Sequence, residues 1–292
     1  MGTNKKVRKN AVRRILSFFL LILLSTAIFG AAGCAKKEEE KKSVTTTSPL
    51  PDSRKQSSEY DESFAYDVYA DYVEITAYLG SGAVVAIPES YGGTVIMSIG
   101  KEAFYGNTVV TSVIMPDTVV NIANKAFAKC TNLREVIMPG VRSIGMESFK
   151  DSGLEQVTLP LTLQNLGKYS FSGSALTSVD LPASIVKASD YVFADCPNLT
   201  SFTLPDTMTV IPKRMFRNCS SLTTVIIPDT VTELDDYSFS ACRSLTEIYI
   251  PASVTKIGEA VFYNSPQVTI ITPEGSAAAK YAEANGLSWR SQ

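Results

Sequence analysis

The 292-residue chain contains no histidine. This removes Ser/His/Asp and Cys/His nucleophile systems, the imidazole general base, and every zinc or iron site that needs an imidazole ligand. A phosphate-binding glycine loop, a G-x-S-x-G nucleophile turn and a CxxC pair are also missing, so the common signatures of nucleotide, acyl-transfer and metal chemistry are absent. No enzymatic activity, metal or cofactor is expected. Acidic residues are absent before Glu38, while Lys5, Lys6, Arg8, Lys9, Arg13 and Arg14 place six positive charges in the first 14 residues. The formal net charge of −2 therefore averages two unlike regions. What remains, with 45% hydrophobic content, is enough to bury a core.

The basic start leads into an apolar run, Ile15 to Phe29, and then Gly30-Ala31-Ala32-Gly33-Cys34. A charged start, a short apolar core and a small-residue exit make a secretory signal. The run is short against the roughly 20 residues of a spanning helix, although an uncleaved signal anchor is an alternative if it tilts. Ala-Ala-Gly-Cys resembles the bacterial lipobox, with Ala31 where an aliphatic residue is usual. The resemblance implies cleavage after residue 33 and acylation of Cys34, giving an exported protein held to the bacterial membrane by lipid and displayed at the cell surface. Loss of residues 1–33 removes six basic side chains and moves the net charge from −2 to −8, which disfavours nucleic acid as a partner. Residues 34–63 then read as the lipidated cysteine and a disordered tether, since their Lys, Glu, Ser, Thr and Pro content offers little to bury.

A repeat of 22 or 23 residues organises the rest. Phenylalanine recurs at Phe104, Phe127, Phe149, Phe171, Phe193, Phe216, Phe239 and Phe262, and proline from Pro116 through Pro139, Pro160, Pro182, Pro205 and Pro228 to Pro251. An aliphatic residue precedes each proline by six, and further apolar residues precede it by three and by one, as in Leu222, Val225 and Ile227 before Pro228. Apolar residues two apart face one side of a short strand. Proline then stops the ladder. One unit cannot bury its own apolar face, so successive units must stack with parallel strands about 4.8 Å apart, and the phenylalanines form an internal spine.

Leu222 to Phe239 (LTTVIIPDTVTELDDYSF) followed by Ser240-Ala241-Cys242 is similar to the BspA-like, or treponemal-type, leucine-rich repeat family, and the likeness extends over about residues 72–272. It implies a leucine-rich repeat solenoid: parallel short strands stacked in a right-handed coil, mostly β and loop, with a short C-terminal capping helix at Ala277 to Gly286. The boundaries are an N-terminal cap and first repeat over 64–109, repeats over 110–268 and a C-terminal cap over 269–292. Two units depart from the pattern and should be dented: Pro139-Gly140 loses a residue before Ile144, and Ala188 replaces an aliphatic residue.

Cys130, Cys196, Cys219 and Cys242 each follow a repeat phenylalanine by three, where other units carry Asn107, Ser152, Ser174 and Ser265. That exchange suggests small side chains bonded to backbone inside a turn. Disulfides between successive coils are possible by distance alone, though stacked side chains suit the dihedral poorly. A metal site lacks both CxxC spacing and histidine.

In leucine-rich repeat proteins generally the strands line a concave surface whose outward residues bind. By that likeness the ligand-binding candidates are Ile114, Ile137, Thr158, Asp180, Thr203, Ile226 and Tyr249, with Glu135 and Glu247 in the neighbouring row. Exposed apolar residues on a solvated strand face suggest contact points, or only β-propensity. Asp180 has no second carboxylate at a matching position for a glycosidase pair. The resemblance implies protein-protein interaction, with adhesion to a protein or other macromolecule of host or neighbouring cells; the alternative is a scaffold binding another exported bacterial protein.

Overall fold

The computed structural model describes residues 49–51 and 53–292. The signal, Cys34 and the first part of the tether lie outside the described residues.

The N-terminal cap is an antiparallel hairpin extended into the stack. Lys55–Tyr60 pairs with Phe64–Tyr69, which pairs with Val73–Tyr78. Asp61 closes the first turn by accepting from the N–H groups of Ser63 and Phe64 at 2.7 and 2.8 Å and from the Tyr66 hydroxyl at 2.7 Å. Lys55–Tyr60 corrects the expected tether, which ends before this strand. Its side chains are nearly all exposed. Composition registers side-chain burial, whereas an edge strand of this kind is held by its backbone ladder, together with the Lys55 to Asp67 ion pair at 2.7 Å and the Ser58 to Asp67 hydrogen bond at 2.8 Å.

Val73–Tyr78 then pairs in parallel with Thr94–Ile99, and from there the chain coils with three sides per turn. The first side is a ladder of three-residue parallel strands: Val84–Ala86, Ser112–Ile114 and Glu135–Ile137; then Ser178–Asp180, Ser201–Thr203 and Thr224–Ile226; then Glu247–Tyr249, Thr269–Ile271 and Ser288–Arg290. The middle residue of each is buried or nearly so, as the two-residue spacing requires. The second side continues Thr94–Ile99 through Asn121–Ile122, Ser143–Ile144, Asn165–Leu166 and Lys187–Ala188, and resumes with Val210–Ile211, Glu233–Leu234 and Lys256–Ile257. Because Thr269–Ile271 and Ser288–Arg290 keep the first ladder in register, stacking runs past residue 268, the expected end of the repeats. A helix, Ala277–Ala284, lies between those two strands, with the Ser276 hydroxyl accepting from the Ala279 N–H at its start.

The third side has no strand. Around every repeat phenylalanine, the residues two before and two after it have positive φ, for example Lys125 and Lys129 at 59° and 60° around Phe127, and only Gly106 and Gly173 among these positions are glycine. A left-handed residue costs roughly 1–2 kcal/mol when it is not glycine. What offsets this is hydrogen bonding between coils. Phe127 N–H donates to the Ser148 carbonyl at 2.7 Å, Phe149 to Ser170 at 2.8 Å, Phe171 to Val192 at 2.9 Å and Phe239 to Val261 at 3.0 Å, and the left-handed residues on either side do the same. Every such N–H points toward the C-terminal coil, and the carbonyl on the same peptide plane points toward the N-terminal one. The third side therefore carries three columns of co-aligned peptide groups.

The phenylalanine rings fill the centre as a column. Successive centroids from Phe104 to Phe262 lie between 4.7 and 6.2 Å apart, all stacked. Tyr78 of the cap stacks on Phe104 at 5.2 Å, and Tyr281 of the helix meets Phe262 edge-on at 6.4 Å. The widest step, Phe193 to Phe216, is where Phe202 replaces the usual Val or Ile and packs against both rings at 5.1 and 4.6 Å.

The ladders are interrupted at different coils. The first skips Gln156–Thr158 and breaks again between Thr224–Ile226 and Glu247–Tyr249, the second breaks after Ala188, and the third side runs on throughout. The break after Ala188 is where the small side chain predicted a dent. The shortened Pro139-Gly140 unit does not break its ladder: Ser143–Ile144 pairs on both sides. Gly140 makes this possible, because a Cβ there would lie 1.9 Å from the Asp117 carbonyl oxygen. The interruption falls one coil later, where Leu154 follows Phe149 by five residues instead of six, a shortening that recurs between Phe171 and Leu176 without loss of the strand Ser178–Asp180.

Candidate functional site

Two outward rows run along the first ladder. Their inner neighbours are committed to the core, so these rows are what that side presents to solvent. One row reads Val84, Ser112, Glu135, Ser178, Ser201, Thr224, Glu247, Thr269 and Ser288, and the other Ala86, Ile114, Ile137, Asp180, Thr203, Ile226, Tyr249, Ile271 and Arg290. Of the sequence candidates, Ile114, Ile137, Asp180, Thr203, Ile226, Tyr249, Glu135 and Glu247 stand on strands of this ladder. Thr158 does not. It is exposed in the interrupted coil, where Val157 is only half-buried although its counterparts in the other coils from Val85 to Ile270 are buried.

Sequence reasoning stopped the rows at Tyr249 and missed Ala86, Ile271 and Arg290. The signal for Ile271 was Pro273, which keeps the beat 22 residues after Pro251. With these added, the second row is apolar over Ala86, Ile114 and Ile137 and again over Ile226, Tyr249 and Ile271, is polar between, and closes on Arg290. Ile226 is the most open of the predicted apolar candidates, at 57% exposure. Three row residues are acidic and one is basic. Arg290 is paired to Glu247 at 3.3 Å, and Glu135 accepts from the Ser112 hydroxyl at 3.2 Å.

A second feature, also missed, lies on the third side. Tyr169 and Tyr191 pack at 4.4 Å, and the Arg214 guanidinium lies over the rings of Tyr191 and Tyr237 at 5.3 and 4.7 Å while donating to the Tyr191 hydroxyl. Lys168 sits over Tyr169 and Tyr191, each at 5.4 Å. All three tyrosines stand two residues before a repeat phenylalanine, a register visible in the sequence.

The four described cysteines are free, buried thiols, so they form no disulfide with one another. Cys130 Sγ donates to the Phe104 carbonyl at 2.9 Å, Cys196 to Phe171 at 3.2 Å, Cys219 to Phe193 at 3.1 Å and Cys242 to Phe216 at 3.2 Å, and Ser265 Oγ repeats the contact with Phe239 at 3.0 Å. Each staples one coil to the preceding one. Burial pushes the thiols of Cys130 and Cys196 up to about 11 and that of Cys242 to about 12, with Cys219 also well above the usual range. Thiolate chemistry is thereby suppressed. Among the described residues no three His, Cys, Asp or Glu side chains gather as a metal site.

The family model for the BspA-type leucine-rich repeat region matches residues 97–222 and 142–269, in six copies, over more than half of the chain. Among solved structures, a leucine-rich repeat protein of Bacteroides ovatus is similar at 24% identity, over 80% of this chain and 67% of that one, with a TM-score of 0.59. The leucine-rich repeat protein of T. pallidum is similar at 23% identity, over 81% of this chain and 98% of that one, with a TM-score of 0.57. At these identities the likeness is one of fold. No curated protein matches the chain.

Proposed function

Because the chain belongs to the BspA-type leucine-rich repeat family, whose repeats generally serve as scaffolds for protein interaction, we propose that it is a lipid-anchored protein of the bacterial cell surface that binds a macromolecule of host or neighbouring cells through the face of its first ladder. The observation that carries this reading is the pair of outward rows. Their strands are fixed by the core and by ladder bonds, so the apolar residues, exposed at Ile226 and half-buried at Ile114, Ile137, Tyr249 and Ile271, are presented on rigid backbone, the condition under which few contacts can supply much of a binding energy. Cys34 supplies the anchor.

Three measurements test the parts separately. Metabolic labelling with radioactive palmitate should mark the wild-type protein and not Cys34→Ala. Protease added to intact cells should remove the repeats, and complete protection would refute display. Full-length protein challenged with matrix proteins and with envelope extract should capture a partner whose binding falls at least tenfold in the Ile226→Ala, Tyr249→Ala double variant. A captured partner indifferent to that change would place binding elsewhere.

A further inference from the structure

Within the binding role proposed above, on which this inference rests, we infer that the strand face takes an extended, basic polypeptide segment lying along the ladder, with a cationic side chain at Asp180 and apolar side chains on Tyr249 and Ile271. The charge balance of the face points this way. Glu135, Asp180 and Glu247 are its acidic residues and Arg290 its single basic one, and Arg290 is occupied by Glu247. Asp180 is exposed and enters no ion pair among the described residues. A second copy of this chain fits poorly, because an antiparallel arrangement brings the central Asp180 of each copy toward the other.

The spacing of the row constrains the segment further. Asp180, Thr203, Ile226, Tyr249 and Ile271 belong to successive coils; parallel strands lie about 4.8 Å apart, and across the unpaired step from Ile226 to Tyr249 the third-side bonds keep the coils stacked, so Tyr249 and Ile271 stand about 14 and 19 Å from Asp180 along the row. An extended chain rises about 3.3 Å per residue with alternate side chains on one face. A lysine or arginine at position one therefore puts positions five and seven of the same segment over Tyr249 and Ile271. Position three, about 6.6 Å along, falls between Thr203 and Ile226. This face thus matches a cation followed by apolar residues at alternate positions, on a partner that is otherwise polar.

The test uses the full chain and three fluorescent seven-residue peptides with leucine at positions five and seven, threonine elsewhere, and lysine, glutamine or glutamate at position one. The lysine peptide should bind most tightly by anisotropy at 50 mM salt and the glutamate peptide most weakly. Asp180→Asn should weaken the lysine peptide about three- to fivefold, the range of an exposed ion pair, and leave the glutamine peptide unchanged. Ile226→Ser with Tyr249→Ser should abolish binding of both. Equal binding of all three peptides, or indifference of the lysine peptide to Asp180→Asn, overturns the basic segment; if that binding is still lost in the serine double variant, the strand face itself stands as the site. Absence of binding by every peptide overturns the inference, and the partner-capture experiment then decides the face independently.

Discussion

Phe216 meets three other rings: Phe193 at 6.2 Å, Phe239 at 5.4 Å and Phe202 edge-on at 4.6 Å. Its amide also carries one of the coil-to-coil bonds, to Ser238 at 2.9 Å. Alanine keeps the amide and loses the ring, so Phe216→Ala should lower unfolding free energy by about 3–5 kcal/mol in denaturant titration, and a loss below about 1 kcal/mol would contradict a packed column. The cysteines make a second prediction at this scale. With burial holding all four thiols protonated at neutral pH and every sulfur in contact with a carbonyl, a thiol reagent followed by peptide mapping should leave Cys130, Cys196, Cys219 and Cys242 unmodified in native protein and label them in denaturant. Labelling of Cys219 under native conditions would show that the coils open there.

Single elements differ in how firmly they are held. In the interrupted coil the first ladder gives Gln156–Thr158 no strand pairing, and the Ser152 hydroxyl is buried without the carbonyl contact made by its cysteine counterparts. Hydrogen exchange should therefore be faster at residues 156–158 than at 201–203, whose ladder is intact on both sides; equal protection would contradict the assignment. At the junction of cap and coil, Glu74 faces Asp67 and Ser98 in register, and Ser98 donates to its carboxylate at 2.7 Å. Burial raises the Glu74 carboxyl above its ordinary 4.5, with Ser98 and Lys55 opposing and Asp67 adding. The folded state thus holds this proton more tightly than the unfolded chain. Its contribution to stability is present at low pH and is lost as pH rises through the folded value. Glu74→Gln should accordingly be more stable than wild type at pH 7 and should lose that part of the pH dependence above 4.5 in thermal melts.

Legibility followed the same divisions. Repeat length, the phenylalanine spine, inward strand positions and the cysteine contacts follow from spacing and residue type, because each is imposed once per coil by the same neighbours. Lys55–Tyr60 was hidden because its pairing is backbone-driven, and Ile271 because the repeat was followed only as far as Pro251. The interrupted coil depends on how a one-residue shortening is shared among three sides, information that no single unit contains. Of the binding face, the row positions were legible through Tyr249, while the interruption at Thr158 and the ion pair of Glu247 required the neighbouring strands.

For the described repeats as a whole, each cap packs on its own neighbouring coil, and coils of 23 residues share one register of buried positions, so the surfaces that the two caps meet do not depend on how many such coils lie between them. Deleting residues 200–222, one repeat period, should give a protein that still melts cooperatively, whereas deleting residues 200–211 should not. Failure of the first deletion would show that particular coils are not interchangeable. The co-aligned peptide groups of the third side add a different consequence. Three hydrogen-bonded columns running along one axis are what an α-helix contains, so this strandless side carries an electrical polarity equivalent to about half a unit charge at each end. The carbonyl end is the N-terminal one, where Lys101, Lys125 and Lys129 are found, and the N–H end is the C-terminal one, where Asp235, Asp236 and Glu259 cluster. Of the charges at the two ends, Lys101, Lys125 and Lys129 at the first coils and Asp235, Asp236 and Glu259 at the last have the sign favoured by a field that the backbone itself creates, and Glu102 and Lys256 have the opposite one.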